Sequence, residues 1–157
     1  MKILVVCSSN ICRSPYAEFW IRKLVSESPI LKDKGIEVSS SAVFNRSFKI
    51  HPKAAKCLID EGFDPEYIYS HKPSFKFGAR QKFNDADVII GMSKMHRAMT
   101  PRKYRDKFIT MSEAATGRYE NIPDPFLAKS QEEYNKVMKV LRDYIVLYVK
   151  GLENTYR

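Results

Sequence analysis

Residues 2–15 read KILVVCSSNICRSP and join an apolar segment to the start of a helical one. Residues 2–6 are rich in β-branched side chains and almost wholly apolar, as expected of a strand buried on both faces of a parallel sheet. After a short loop, Ser14 and Pro15 supply an N-cap and a first-turn proline. Apolar residues then recur at helical spacing, at Ala17, Trp20, Ile21, Leu24 and Val25. The stretch therefore predicts a central strand, a loop and a helix.

The same pattern continues along the chain. Three more segments have the composition of strands: residues 36–41, 87–91 and, more weakly, 107–111. Helices are predicted over residues 52–61, after Ser93, and after the capping box at 130–133. The last helix carries an apolar stripe at Val137, Leu141, Tyr144, Ile145, Tyr148 and Leu152. Strands alternating with helices predict one α/β domain over residues 1–157, with a four-stranded parallel sheet flanked by helices on both faces.

Length and cysteine content limit the class of protein. A chain of 157 residues is long enough to bury one core without metal ions or disulfides. The longest apolar runs, residues 3–7 and 145–149, are far shorter than the ~20 residues of a membrane-spanning helix. The N-terminal run is also too short for a secretory signal, and three cysteines make no disulfide framework. We therefore expect a cytoplasmic protein with no membrane insertion.

The chain has a net charge of +9, from 27 Lys and Arg against 18 Asp and Glu. Residues 46–107 hold 14 of the basic and 7 of the acidic side chains, so the excess is concentrated there. Nucleic acid is the first partner that such a charge indicates. However, no basic run exceeds two residues, and no recognition motif or stacking-aromatic pattern accompanies the charge. We expect no nucleic-acid partner.

The loop after the first strand has the residue types of a phosphate site. Ligands of parallel sheets bind beyond the carboxyl ends of strands, where this loop lies. Its amides form an anion nest at a helix N-terminus, and Arg13 adds donors matched to phosphate oxygens. The same positive field favours the thiolate form of Cys7, a nucleophile. The alternative for Cys7 is a small buried apolar side chain. The predicted phosphate-binding residues are Ser8, Ser9, Asn10, Ile11, Cys12, Arg13 and Ser14.

Residues 6–15 closely resemble the signature of the low-molecular-weight protein tyrosine phosphatases, and residues 122–126, IPDPF, resemble the loop that carries the family's general acid. Looser similarity at residues 40–42, at His71 and at residues 87–92 extends the resemblance over nearly the whole chain. The resemblance implies hydrolysis of phosphotyrosine through a cysteinyl-phosphate. It implies Cys7 as nucleophile, Arg13 as phosphate ligand and Asp124 as general acid and then base. Tyrosine-phosphorylated proteins or peptides would be the substrates, and phosphate a product.

The resemblance also assigns supporting residues. It implies that the Ser14 hydroxyl donates to the Cys7 sulfur, and that Asn10 locks the loop with support from Ser41 and His71. It implies a reversible disulfide between Cys7 and Cys12, although a packing role for Cys12 is equally compatible with the sequence. Phe44, Phe48 and Phe126 are candidates for the walls of the cleft, and Cys57 for core packing.

No metal or other cofactor is expected. His51, His71 and His96 lack metal-ligand spacing, and the chain has no Walker-type glycine loop. The sequence departs from the family pattern at Ser9, where a glycine is usual, and at Ser93, where an acidic residue is usual.

Three other functions compete with the main hypothesis. A protein-arginine phosphatase of the same fold has threonine at the position of Ile11, and the larger isoleucine favours aryl phosphates. An arsenate reductase would need a further cysteine pair after the third strand, which is absent. A non-catalytic phosphopeptide-binding module would keep Arg13 and the amide nest, but it needs neither Cys7 nor Asp124. For a phosphatase, the basic middle of the chain would steer acidic phosphorylated substrates to the site.

Overall fold

A parallel sheet forms the centre of the molecule. The computed structural model describes residues 1–157, and its strands are β1 (Lys2–Cys7), β2 (Glu37–Ala42), β3 (Val88–Gly91) and β4 (Phe108–Thr110). All four are parallel and lie in the order β2-β1-β3-β4. The predicted four-stranded sheet with a central first strand is confirmed. Because the chain turns to opposite sides after β1, the carboxyl end of β1 lies at the switch point where such sheets bind ligands.

Seven α-helices connect and cover the strands. They are α1 (Arg13–Glu27), α2 (Pro52–Asp60), α3 (Pro65–Tyr69), α4 (Arg80–Asp85), α5 (Lys94–Met99), α6 (Met111–Thr116) and α7 (Gln131–Tyr156). Two short 3-10 helices span Arg102–Lys107 and Pro125–Leu127. The sequence predicts α1, α2, α5 and α7. It misses α3, α4 and α6, because five or six residues are too few for a helical period to be visible. The equally short α5 was predicted from its capping residue Ser93. None of the helices combines the length and hydropathy needed to cross a membrane.

Strand β1 explains why the sheet is covered on both faces. Ile3, Val5 and Cys7 pack in a core cluster with buried residues of α1, α2 and α7. Leu4 and Val6 belong to a second cluster that includes Phe83 of α4. Successive residues of a strand point to opposite faces, so an almost continuous apolar run requires cover on both. Burying each of these Val, Leu and Ile side chains contributes roughly 1.5–3 kcal/mol to folding.

The predicted helix ends need two corrections. Helix α1 begins at Arg13, so Ser14 lies inside the first turn and is not its N-cap. At α7, the Ser130 hydroxyl accepts from the amide of Glu133, but the Glu133 carboxylate accepts from the amide of Lys129 and the capping box is only half formed. The buried stripe of α7 is also shifted from the prediction. It consists of Tyr134, Met138, Leu141, Ile145, Tyr148, Val149 and Leu152, with Val137 and Tyr144 only half-buried.

Candidate active site

The Cys7 sulfur lies at the carboxyl end of β1 and faces the start of α1. Its side chain is buried, and the Ser14 hydroxyl lies 3.0 Å from its Sγ. The backbone amide of Ser14 also points at the sulfur, at 3.4 Å. Residue 14 thus directs both its donors at Cys7. Donors at a helix N-terminus stabilise a thiolate more than a thiol, because they interact with its full negative charge.

Asn10 holds the loop in its curled shape. Its φ of 58° lies in the left-handed region, and it is the one non-glycine residue of the chain with positive φ. Its Nδ2 donates to the hydroxyls of Ser14 at 2.7 Å and Ser40 at 2.8 Å, and its Oδ1 accepts from the Ser74 amide at 3.0 Å. A strained residue persists where its surroundings fix it. Here three hydrogen bonds to a fully buried side chain do so.

The predicted partner Ser41 is wrong, and Ser40 takes its place. The Ser41 hydroxyl donates to the carbonyl of Ala42 at 3.2 Å and does not contact Asn10. Adjacent residues of β2 point to opposite faces, so only one of the two serines can face the loop. His71 does contact Asn10, but at the backbone: its Nε2 donates to the Asn10 carbonyl oxygen at 2.9 Å. Burial lowers the pKa of His71.

The second sequence motif meets the first at Arg13. The Arg13 side chain is almost fully buried, and its Nη1 donates at 2.8 Å to the carbonyl of Ile122, 109 residues away in the chain. Its Nη2 lies 3.6 Å from Oδ2 of Asp124. The Asp124 side chain is half exposed, and its Oδ1 accepts from the Phe126 amide at 3.0 Å. A carboxyl group thus stands beside the arginine, open to solvent.

Cys7, Arg13 and Asp124 line a single cleft of about 330 Å³. Its walls come from the loops after β1 and β2, from α5 and from the segment around Asp124. The lining residues are Cys7, Ser8, Ser9, Ile11, Cys12, Arg13, Phe44, Asn45, Met95, Met99, Asp124 and Phe126. A larger cavity of about 570 Å³ at the amino ends of the strands contains no cysteine.

The predicted aromatic walls are partly right. Phe44 and Phe126 line the cleft, but Phe48 does not, and its side chain is 88% exposed. Amides of residues 43–45 donate to the carbonyls of Cys7 and Ser8, which holds Phe44 against the loop. Phe48 lies beyond these bonds. Met95 and Met99 of α5 form a wall that the sequence analysis missed. The two methionines are four residues apart just after β3, a spacing that places both on the same face of a helix, and this spacing could have predicted the wall.

Comparison with known proteins identifies the family. The family described as low molecular weight phosphotyrosine protein phosphatase matches residues 2–156. The chain belongs to this family. A pig (Sus scrofa) low molecular weight phosphotyrosine protein phosphatase is 37% identical over 101 residues, which cover 64% of this chain and 60% of the pig protein. A protein-arginine-phosphatase of Bacillus subtilis is 26% identical over 161 aligned positions that cover both chains completely. The solution structure of a low molecular weight protein tyrosine phosphatase from Bacillus subtilis covers both chains completely, with 27% identity and a TM-score of 0.80.

In this phosphatase, His96 of α5 contacts the loop in a way that the sequence did not reveal. Its ring is fully buried, and its Nδ1 accepts from the amides of Met92 and Ser93, both at 3.2 Å. The proton of the neutral ring therefore sits on Nε2, which donates to the Ser8 hydroxyl at 3.1 Å. Burial, and next the charge of Arg13, lower the pKa of His96 to about 4. The ring thus remains neutral near pH 7 and positions Ser8.

The buried His96 makes the stability of the phosphatase pH-dependent. Its pKa is 6.5 when unfolded and about 4 when folded, so the unfolded chain binds the proton more tightly. The stabilisation is complete above pH ~6.5 and is lost as the pH falls toward ~4. We expect the free energy of unfolding to decrease by about 2 kcal/mol between pH 7 and pH 5. Urea denaturation at both pH values measures this difference.

His96→Gln is the matched variant for that measurement, since the amide keeps an acceptor and a donor but does not titrate. The pH dependence should become shallower in the variant, although His51 and His71, whose pKa values are also lowered by burial, still contribute. An unchanged pH dependence would exclude His96 as its main source.

The other two cysteines are buried thiols. All three cysteines of the chain are free. Burial raises the pKa of Cys12 to about 12, so its thiol is protonated near neutral pH. Cys57 is also buried, its Sγ donates to Glu61 at 3.4 Å, and burial raises its pKa as well. Cys57 belongs to the main core cluster, as predicted.

Proposed function

We propose that this phosphatase hydrolyses phosphotyrosine in proteins or peptides through a cysteinyl-phosphate on Cys7. One observation carries the proposal: Cys7, Arg13 and Asp124 share one cleft although Asp124 is far from the other two in the chain. The two motifs occur in the order that is typical of the family, and the fold brings their nucleophile, oxyanion ligand and acid together. Chance is a poor explanation for this combination. A binding module would need Arg13 and the loop amides alone.

In the first step, the Cys7 thiolate attacks phosphorus opposite the leaving oxygen. The P–S bond forms as the bond from phosphorus to the tyrosine oxygen breaks, and Asp124 transfers its proton to that oxygen. Loop amides of residues 8–14 and the Arg13 guanidinium hold the equatorial oxygens, whose charge must be stabilised in the transition state. Cys7 is left as the cysteinyl-phosphate.

In the second step, water attacks the phosphorus of the cysteinyl-phosphate. The Asp124 carboxylate accepts a proton from the water, the P–S bond breaks, and phosphate leaves as the Cys7 thiolate is restored. Ser14 supports this leaving group. Because the Ser14 oxygen accepts from Asn10, its own hydrogen is free to donate to the sulfur 3.0 Å away. Asn10, Ser40 and His71 hold the loop in position.

The cleft walls favour an aromatic leaving group. Ile11, Phe44, Met95, Met99 and Phe126 present apolar surface above the nucleophile, and a phenyl ring buries well against such side chains. The Bacillus relative named protein-arginine-phosphatase matches the full chain. Phosphoarginine is therefore the alternative substrate for this protein. The bulk of Ile11 supports the aryl phosphate.

Two further assignments belong to this proposal. Cys7 and Cys12 line the same cleft, which supports a disulfide between them after peroxide oxidises Cys7. The three free thiols support a cytoplasmic location, where the environment is reducing.

The proposal is tested by assaying the purified protein in EDTA. We expect release of phosphate from p-nitrophenyl phosphate and from a phosphotyrosine peptide, with a higher kcat/KM than for the matched phosphoarginine peptide. A preference for phosphoarginine would favour the alternative. Binding of the phosphotyrosine peptide without turnover would identify a binding module.

A further inference from the structure

Three segments that line or contact the cleft carry positive charge and no acidic residue. Residues 43–51, 71–77 and 92–95 contain no Asp or Glu. Their five basic residues are Arg46, Lys49, Lys72, Lys76 and Lys94. None of these five forms a salt bridge within the chain. The only carboxylate among the residues that line the cleft is Asp124. The charge of these segments is therefore available to an external anion.

Two of these cations lie over aromatic rings. The Arg46 guanidinium lies 5.7 Å from the ring centroid of Phe75, and Lys76 Nζ lies 5.2 Å from that of Phe77. We call Phe44, Arg46, Phe75, Lys76 and Phe77 the aromatic–basic rim. Cation–π contacts orient the charged groups over the rings and leave their outer N–H groups free for a ligand.

The rim is attached to the cleft. The amide of Lys76 donates to the carbonyl of Ala42 at the end of β2, and the amide of Ala42 donates to Ser74. The ammonium group of Lys76 donates at 2.9 Å to the carbonyl of Met99, which lines the cleft from α5. Phe44 belongs to both the rim and the cleft wall. A ligand that extends out of the cleft past Phe44 would therefore reach the rim.

Two aromatic side chains of the rim face solvent. Phe44 is 58% and Phe77 is 61% exposed. Exposed apolar side chains that adjoin one another mark binding surfaces more often than isolated ones do. Unpaired cations on the same surface favour a partner that is negatively charged as well as apolar.

We propose that the aromatic–basic rim binds an acidic peptide segment next to the phosphorylated residue of a protein substrate. The inference rests on the proposed phosphatase function and adds the substrate class. The cleft has room for one phosphorylated side chain, so the neighbouring residues of the substrate lie outside it, on the rim. Glutamate or aspartate at these positions would meet Arg46 and Lys76, and an apolar neighbour would meet Phe44 or Phe77.

Two phosphotyrosine peptides test the proposal, one with Glu on both sides of the phosphotyrosine and one with Gln at the same positions. We expect the wild-type kcat/KM to be about 5-fold higher for the Glu peptide at low ionic strength. The preference should shrink in 0.5 M salt, because the Debye length then falls to roughly 4 Å. In the variant Arg46→Gln/Lys76→Gln, which removes the two cations of the rim, the Glu-to-Gln ratio should fall toward 1.

The matched control is Lys32→Gln/Lys150→Gln. It removes the same charge from exposed residues that lie outside the three segments and do not line the cleft. It should keep the wild-type Glu-to-Gln ratio. Equal kcat/KM for both peptides, or an equal loss of preference in both variants, would overturn the proposal. Hydrolysis of p-nitrophenyl phosphate separates the two hypotheses: if it persists without a peptide preference, the rim proposal fails and the phosphatase proposal stands.

Discussion

Replacement of Cys7 by Ser should reduce kcat for p-nitrophenyl phosphate by at least about 10⁴-fold. The serine hydroxyl stays protonated at neutral pH, so the attacking group is a weak nucleophile at the same position. The fold should persist, because the smaller hydroxyl still fits beside Ser14 and still accepts its hydrogen bond. Initial rates at saturating substrate measure the loss, and the far-ultraviolet circular dichroism spectrum verifies the fold.

Cys57→Ser is the matched control for this experiment. Cys57 is equally buried but does not line the cleft, and a serine there can still donate to Glu61. Its rate should stay close to that of the unmodified protein. Wild-type turnover in Cys7→Ser would refute the nucleophile assignment, and so would a comparable loss in both variants.

The second large effect is expected for Asp124→Asn. The amide cannot give a proton to the leaving oxygen, so the loss should depend on how much that oxygen needs one. We expect kcat/KM to fall by about 10²–10³-fold for phenyl phosphate, whose phenolate is a poor leaving group. For p-nitrophenyl phosphate, whose leaving group is good, the fold-decrease should be roughly ten times smaller. The asparagine oxygen can still accept from the Phe126 amide, so the loop conformation should be retained.

Asp64→Asn makes the same chemical change at an exposed residue that does not line the cleft. Asp64 forms no side-chain cap on α3, so its replacement should change neither stability nor rate. If Asp124→Asn slowed both substrates equally, Asp124 would not be the general acid, and its contact with Arg13 would be its main role.

The strands were predicted well because their signal is local. Five apolar residues in a row at 3–7 can be buried only between two layers. The observed β1 is one residue longer than the predicted segment, and the observed β2 is shifted from its prediction by one residue. The N-terminus of α1 was misplaced because Ser14 has the chemistry of a cap. In the structure its hydroxyl instead donates to the Cys7 sulfur and accepts from Asn10.

The choice between Ser40 and Ser41 shows where sequence patterns are insufficient. Both are serines in the same strand, and both are fully or almost fully buried. Which of them faces Asn10 depends on the register of β2 against β1, where Ser40 pairs with Val5 and Ser41 with Val6. A shift of one residue would exchange their faces. Register is set by packing along the whole strand, and no short motif encodes it.

By itself, the sequence determined the central strand, the loop that follows it and the candidate nucleophile, because these depend on residues that are neighbours in the chain. Only the tertiary structure decided which side chains meet across the sheet. It placed Asp124 beside Arg13, the His96 ring within hydrogen-bond distance of Ser8, and Arg46 and Lys76, which come from two separate segments, beside the cleft. Such contacts arise when the parallel strands bring their carboxyl ends to one edge of the sheet. The loops that meet there lie far apart in sequence, and the distances and hydrogen bonds between them depend on packing that no local pattern contains.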